Sequence, residues 1–143
     1  MSGLVLALTP GEKFIVNGAL MENGEKPSRI RIKDNNARVL RCSDAILPED
    51  VNTPVKQVFF AVQLLITGDL DEDVALPAIY SECDKLEGVF NPISPNLIST
   101  ARSMIERGNY YSALCFLKQV IEVEANLFAV SGNAGERATK RVA

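Results

Sequence analysis

Asp44-Ala45-Ile46-Leu47-Pro48-Glu49-Asp50-Val51-Asn52-Thr53-Pro54 is the stretch at which this chain changes character. Before it lie short apolar runs cut by turn residues, and after it apolar residues recur at helical spacing. Strands first and helices second predict an α+β fold, in which a small N-terminal antiparallel sheet of about five short strands packs with a four-helix C-terminal region.

Upstream of residue 44, Leu4 to Leu8 is a continuous apolar run ended by Pro10-Gly11. Asn17-Gly18 separates Lys13-Phe14-Ile15-Val16 from Ala19-Leu20-Met21-Glu22, and both turn residues tolerate positive φ, so a two-residue hairpin with Lys13 facing Glu22 is expected. Asn23-Gly24 ends that strand. Arg29 to Asp34 alternates basic and apolar residues, and Asp34-Asn35-Asn36 leads into Arg38 to Cys42. A tight turn at Asn35-Asn36 would set Lys33 opposite Arg38 and Ile32 opposite Val39.

Downstream, Asn52 or Thr53 caps a helix with Pro54 at its first position, and Val55, Val58, Phe59, Val62, Leu65 and Ile66 form its inner face before Gly68. Leu76, Ile79, Tyr80, Cys83 and Leu86 predict a second helix with Pro77 in or near its first turn. Ser94-Pro95 opens a third, with Leu97, Ile98, Ala101, Met104 and Ile105 inward and Gly108 as its stop. Asn109 caps a fourth, with Tyr110, Ala113, Leu114, Leu117, Val120, Ile121 and Phe128 inward, so the last two helices should form an antiparallel hairpin. The expected organisation is a β module over 1–50, a helical module over 51–130 and a flexible basic tail over 131–143, with 1–130 as one continuous domain the alternative.

The 143 residues are 47% apolar and 23% charged, the usage of a globular chain. A formal charge of −3 argues against DNA or RNA binding by bulk positive charge. There is no histidine, which removes the usual general base, the Ser-His-Asp arrangement and the commonest zinc ligand. Cys42, Cys83 and Cys115 form no C-x-x-C pair and read as reduced thiols of a cytoplasmic protein. The opening Met-Ser-Gly-Leu-Val-Leu-Ala-Leu lacks the basic start of a secretion signal. Val58 to Ile66 falls short of the roughly 18 residues a bilayer span needs, so no membrane is expected. The glycines build neither a dinucleotide fingerprint nor a P-loop. Asp69, Asp71, Glu72 and Asp73 cluster, but their spacing departs from a calcium loop and suits a solvated helix start. No catalytic residue, metal or cofactor is therefore expected, and the chain does not read as an enzyme.

The most informative cluster is basic: Lys26, Arg29, Arg31, Lys33, Arg38 and Arg41 against the single acid Asp34. In a strand, Arg29, Arg31 and Lys33 share one face while Ile30 and Ile32 point the other way. One reading is an edge guarded by cations against strand addition. The other is an anion site for the phosphate backbone of RNA. Aromatic interleaving for base stacking is missing, and Asn35, Asn36 and Gln57 are the candidates for base-edge contacts.

Leu8-Thr9-Pro10-Gly11-Glu12, Ile15-Val16-Asn17-Gly18-Ala19, Glu22-Asn23-Gly24, Leu40-Arg41, Asp44 to Pro54 and Phe59-Phe60-Ala61-Val62-Gln63 together resemble the FlbT family of alphaproteobacterial flagellum biosynthesis repressors, over residues 4 to 130. Val51 stands where that pattern leads one to expect alanine, and the glycine-containing basic tail is idiosyncratic and inherits no family role. The resemblance implies a post-transcriptional regulator that associates with the 5′ untranslated region of flagellin mRNA and lowers its lifetime or translation. It implies no catalytic residues, so degradation falls to host ribonucleases. It supplies no residue-level RNA site; the six cations come from the charge pattern. The competing class is a flagellin chaperone or an adaptor for another flagellar regulatory protein, which would use exposed apolar residues on the helices, with Tyr110, Tyr111, Phe116 and Phe128 as candidates. Short strands with open edges also suit a homo-oligomer.

Overall fold

A computed structural model describes residues 4–34 and 36–139, with side chains as far as residue 129. Five strands, β1 (Leu4–Leu8), β2 (Lys13–Val16), β3 (Ala19–Glu22), β4 (Ser28–Ile32) and β5 (Val39–Arg41), precede four helices, α1 (Pro54–Thr67), α2 (Glu72–Phe90), α3 (Leu97–Glu106) and α4 (Tyr110–Thr139). The α+β class agrees with the sequence, and the strands form two antiparallel sheets, β1-β4 and β3-β2-β5.

The Asn17-Gly18 turn forms as its chemistry dictates, with φ of 52° and 84°, and Lys13 lies opposite Glu22. The strand pairing then departs from expectation: β4 pairs with β1 and β5 pairs with β2, so Lys33 and Arg38 do not face one another. The cause is non-local. The Asn17 side-chain carbonyl accepts from the Arg38 N–H at 2.9 Å, and the Asn17 N–H donates to the Arg38 carbonyl at 2.7 Å, which fastens the start of β5 alongside β2. β4 in turn matches its apolar alternation to β1, Ile30 opposite Leu6 and Ile32 opposite Leu4.

The three-stranded sheet separates two apolar clusters. Phe14 and Val39 on one face pack with Leu6 and Leu8 of β1. Leu40 and Ile15 on the other pack into the helical core of Val55, Phe59, Val62, Leu65, Phe90, Ile98, Leu114 and Leu117. Tyr111 of α4 reaches into the strand cluster, so packing crosses from the first fifty residues to the helices.

Thr53 is the N-cap of α1, its hydroxyl accepting from the Lys56 N–H at 3.2 Å, with Pro54 next and Gly68 at φ 88° closing the helix. α4 runs antiparallel to α1: Tyr110 lies near the α1 C-terminus through Arg38 and Glu72, while Glu124 meets the first turn of α1. Three elements differ from the periodicity. Pro77 sits in the second turn of α2, because Glu72 and Asp73 extend the helix back to Asp71; its missing N–H would have bonded the carbonyl of the exposed Asp73. Phe128 is 51% exposed instead of inward, because α4 runs on past the point where α1 begins. α4 itself carries through Thr139, into the stretch expected as a tail, while residues 140–143 lie outside the described residues, as does Asn35.

Candidate nucleic-acid interface

The β1-β4 ribbon turns Leu6, Leu8, Ile30 and Ile32 toward the strand cluster, which leaves Val5, Ala7, Arg29 and Arg31 on its outer face. Arg29 stands opposite Ala7 and Arg31 opposite Val5, and both arginines are exposed. Two residues apart on one strand, their Cα atoms are separated by about 6.8 Å. Lys33 continues the row beyond the strand end and Lys26 precedes it, both exposed. Among the described residues none of these four cations is in an ion pair.

The loop that delivers β4 is organised by Asn23. Its side-chain N–H groups donate to the carbonyls of Thr9 at 2.7 Å and Lys26 at 3.0 Å, and its side-chain oxygen accepts from the Ser28 hydroxyl at 2.7 Å. One amide therefore ties the end of β1 to the start of β4, holding the two strands of the basic ribbon together.

Arg38 and Arg41 belong to the framework. Arg41 donates to both carboxylate oxygens of Glu12, at 2.6 and 2.9 Å, and to the Ala7 carbonyl at 2.7 Å, joining the two sheets. That bond, seconded by the Thr9 backbone N–H, holds the Glu12 carboxyl down at about 2. Arg38 donates to the Leu65 carbonyl at 2.8 Å and to Glu72 at 2.9 Å, and its guanidinium lies 5.4 Å from the centre of the Tyr110 ring. The six-cation cluster thus divides into four solvent-facing groups and two struts.

The aromatic candidates on α4 do not form one exposed surface. Tyr110 is 6% exposed and its hydroxyl donates to Glu72; burial, then that bond, push its ionisation well above the usual tyrosine range. Tyr111 is half-buried and donates to Asp44 at 2.7 Å. Phe116 packs partly against the helical core, which leaves Phe128 as the exposed member. These positions withdraw because the first turns of α4 meet the Arg38–Glu72 pair and the Asp44 turn. Asn36 is exposed beside Asp34, whose carboxylate accepts its N–H at 2.9 Å, and Gln57 is on α1, where it lines a groove with Ala78, Ile79 and Glu82 of α2. Within the acidic group, Glu72 is engaged by Arg38 and Tyr110, and Asp69 accepts from the Thr67 hydroxyl at 2.8 Å.

Three polar residues that are not among the site candidates of the sequence organise the molecule: Asn23, Gln63 and Glu124. Gln63 exchanges two hydrogen bonds with the Ile46 backbone, at 2.9 and 3.1 Å, and so docks the chain between the strands and α1. Glu124, 3% exposed, accepts from the Thr53 hydroxyl at 2.5 Å and the Val55 N–H at 3.1 Å. The available signal was position: Gln63 and Glu124 interrupt otherwise apolar inner stripes, and a polar group there must find a partner.

No described helix is long and apolar enough to cross a membrane. No solved structure matches the chain. Among curated proteins it is 31% identical over 123 residues to the flagellum biosynthesis repressor protein FlbT of Caulobacter vibrioides, covering 85% of this chain and 86% of the relative. It is 30% identical over 124 residues to a probable FlbT repressor of Bradyrhizobium diazoefficiens, covering 87% and 84%, and 27% identical over 136 residues to one from Chelativorans, covering 93% and 90%. The family model described as flagellar protein FlbT matches residues 4–128, the whole span from β1 into α4, and the chain belongs to that family.

Proposed function

We propose that this protein is a non-enzymatic, cytoplasmic repressor of flagellum biogenesis that acts after transcription, by associating with the 5′ untranslated region of flagellin mRNA through the outer face of the β1-β4 ribbon. The repressor names of its relatives support the first half of that reading. The observation that carries the second is the row Lys26, Arg29, Arg31 and Lys33, exposed and outside any ion pair among the described residues, in a chain whose net charge is −3. Cations left facing water on and beside one strand are arranged for an anion that the fold itself does not supply. The face carries no aromatic side chain, so contact is to phosphate and sugar, not to stacked bases.

The test is titration of flagellin leader RNA, and of a scrambled leader, across a salt series. Each phosphate contact contributes a slope of about 0.7 to 0.9 in log affinity against log salt. Arg29→Ala with Arg31→Ala and Lys33→Ala should therefore weaken binding and flatten the slope by about 2, with the unfolding midpoint unchanged. Arg38→Ala and Arg41→Ala, by contrast, should lower stability first. Affinity and slope unchanged in the triple variant would remove the ribbon from the RNA site. No leader binding together with tight association to flagellin would make the protein an adaptor and turn attention to Phe128 on α4.

A further inference from the structure

β3 is an outer strand: among the described residues it is hydrogen-bonded to β2 alone. All of Ala19, Leu20, Met21 and Glu22 are exposed. A solvated edge strand ordinarily shows polar side chains on at least one face, or is guarded by lysine, proline or a bulge. Here Leu20, opposite Ile15 and so on the helical side, is 66% exposed, and Met21, opposite Phe14 and so on the β1-β4 side, is 45% exposed. Both covering layers stop short of the strand, yet its sequence is that of a strand with neighbours. The contrast is with β4, whose solvent face carries Arg29 and Arg31.

The hairpin also fixes which backbone groups are free. The Asn23 N–H donates to the Glu12 carbonyl, and the two-residue turn closes on the pair Val16 and Ala19. By alternation Ala19, Met21 and Asn23 direct their N–H and C=O groups to β2, whereas Leu20 and Glu22 direct theirs outward.

We propose that β3 pairs antiparallel with β3 of a second copy of this chain, about a two-fold axis through Met21, to give one six-stranded sheet of order β5-β2-β3-β3-β2-β5. A two-fold axis perpendicular to the sheet keeps each face on its own side, so only residues of the same face can be opposed. Opposing Glu22 to Glu22 would set like charges against each other. Opposing Leu20 to Leu20 engages one outward-facing pair of backbone groups. Opposing Met21 to Met21 engages both, Leu20 with Glu22 of the other copy and the reverse, for four hydrogen bonds. It places the two methionines at the closely spaced, non-hydrogen-bonded position and the two Leu20 side chains on the diagonal. The two Glu22 side chains take the other diagonal, each with Lys13 opposite it in its own hairpin. Self-complementarity in backbone direction, with the apolar Met21 pair on the axis and the Leu20 pair on the diagonal, selects a second copy as the occupant.

Light scattering of the full chain at micromolar concentration should report a dimer. Met21→Glu alone and Met21→Lys alone each set like charges directly opposite and should weaken the dimer about tenfold, with unfolding midpoints close to the parent. An equimolar mixture of the two variants should restore it, since Glu then faces Lys. A monomeric parent chain, a dimer indifferent to both substitutions, or a mixture no tighter than either variant alone would overturn the proposal. A monomer that instead takes up an extended foreign peptide along β3 would also overturn it and assign the edge to a different partner.

Discussion

Glu124→Ala is expected to destabilise the protein as much as truncating a buried apolar side chain of α4. The carboxylate is 3% exposed and accepts from the Thr53 hydroxyl and from the N–H of Val55, a residue with 0% exposure. Removing it leaves a buried helix N–H and a half-buried hydroxyl without their acceptor. An orphaned buried donor costs about 1–3 kcal/mol, and the lost methylene and the space it vacates add about 1 kcal/mol. The expected loss is therefore about 3 kcal/mol. With a urea m-value of about 2 kcal/mol/M, the midpoint should fall by about 1.5 M. Glu124→Gln retains one acceptor oxygen in the same volume and should cost about 1 kcal/mol. Thr53→Ala should cost about 1 kcal/mol as a lost cap, and the double variant should fall short of the sum by at least about 0.5 kcal/mol because the two residues share a bond. Chemical denaturation followed by circular dichroism measures all four. A Glu124→Ala midpoint within about 0.3 M of the parent, or strict additivity with Thr53→Ala, would refute the claim that this carboxylate caps α1.

Glu12 ionises in the folded protein well below its ordinary 4.5, so the stability it contributes is present above about pH 4.5 and is lost as pH falls toward 2. Glu12→Gln should therefore be less stable than the parent at neutral pH, with the gap closing on acidification; a gap independent of pH would contradict the Arg41 pairing. Gly68→Ala forces alanine to φ 88° with open space around the added carbon, so the cost is conformational, about 1 kcal/mol. A thermal scan should show a midpoint lower by about 2–4 °C. Burial pushes the Cys83 thiol up to about 11, whereas Cys42 is exposed. Brief alkylation followed by peptide mass spectrometry should modify Cys42 in the native protein and Cys83 only after unfolding.

Local chemistry was legible wherever neighbours in sequence decide the outcome. Asn17-Gly18 set the hairpin and its register, Thr53-Pro54 and Gly68 set the ends of α1, and Gly108, at φ 79°, set the turn between α3 and α4. The partner of β4 was not legible, because it depends on Asn17 holding Arg38 from 21 residues away and on β1 offering a matching alternation. The basic cluster was legible as composition but not as geometry. Whether an arginine faces water or an acid is decided by Glu12 and Glu72, which lie 29 and 34 residues from their partners Arg41 and Arg38. The same distance effect hid Tyr110, whose inward face follows from helical spacing while its hydroxyl partner Glu72 lies 38 residues away.

β5 is three residues long, yet Val39 faces one apolar cluster, Leu40 faces the other, and Arg41 bonds across to the β1 carbonyl of Ala7. A fluctuation that lifts this strand wets both clusters at once and breaks the tie between the sheets. The Leu40 amide, whose N–H and C=O alternation directs to Ile15 of β2, should accordingly exchange with solvent only at a free energy close to that of global unfolding. A protease cut between residues 45 and 54 would leave β5 in the strand half without the helical cover over Leu40, and the helical half without Leu40 in its core, so separation of the two fragments should cost both their structure.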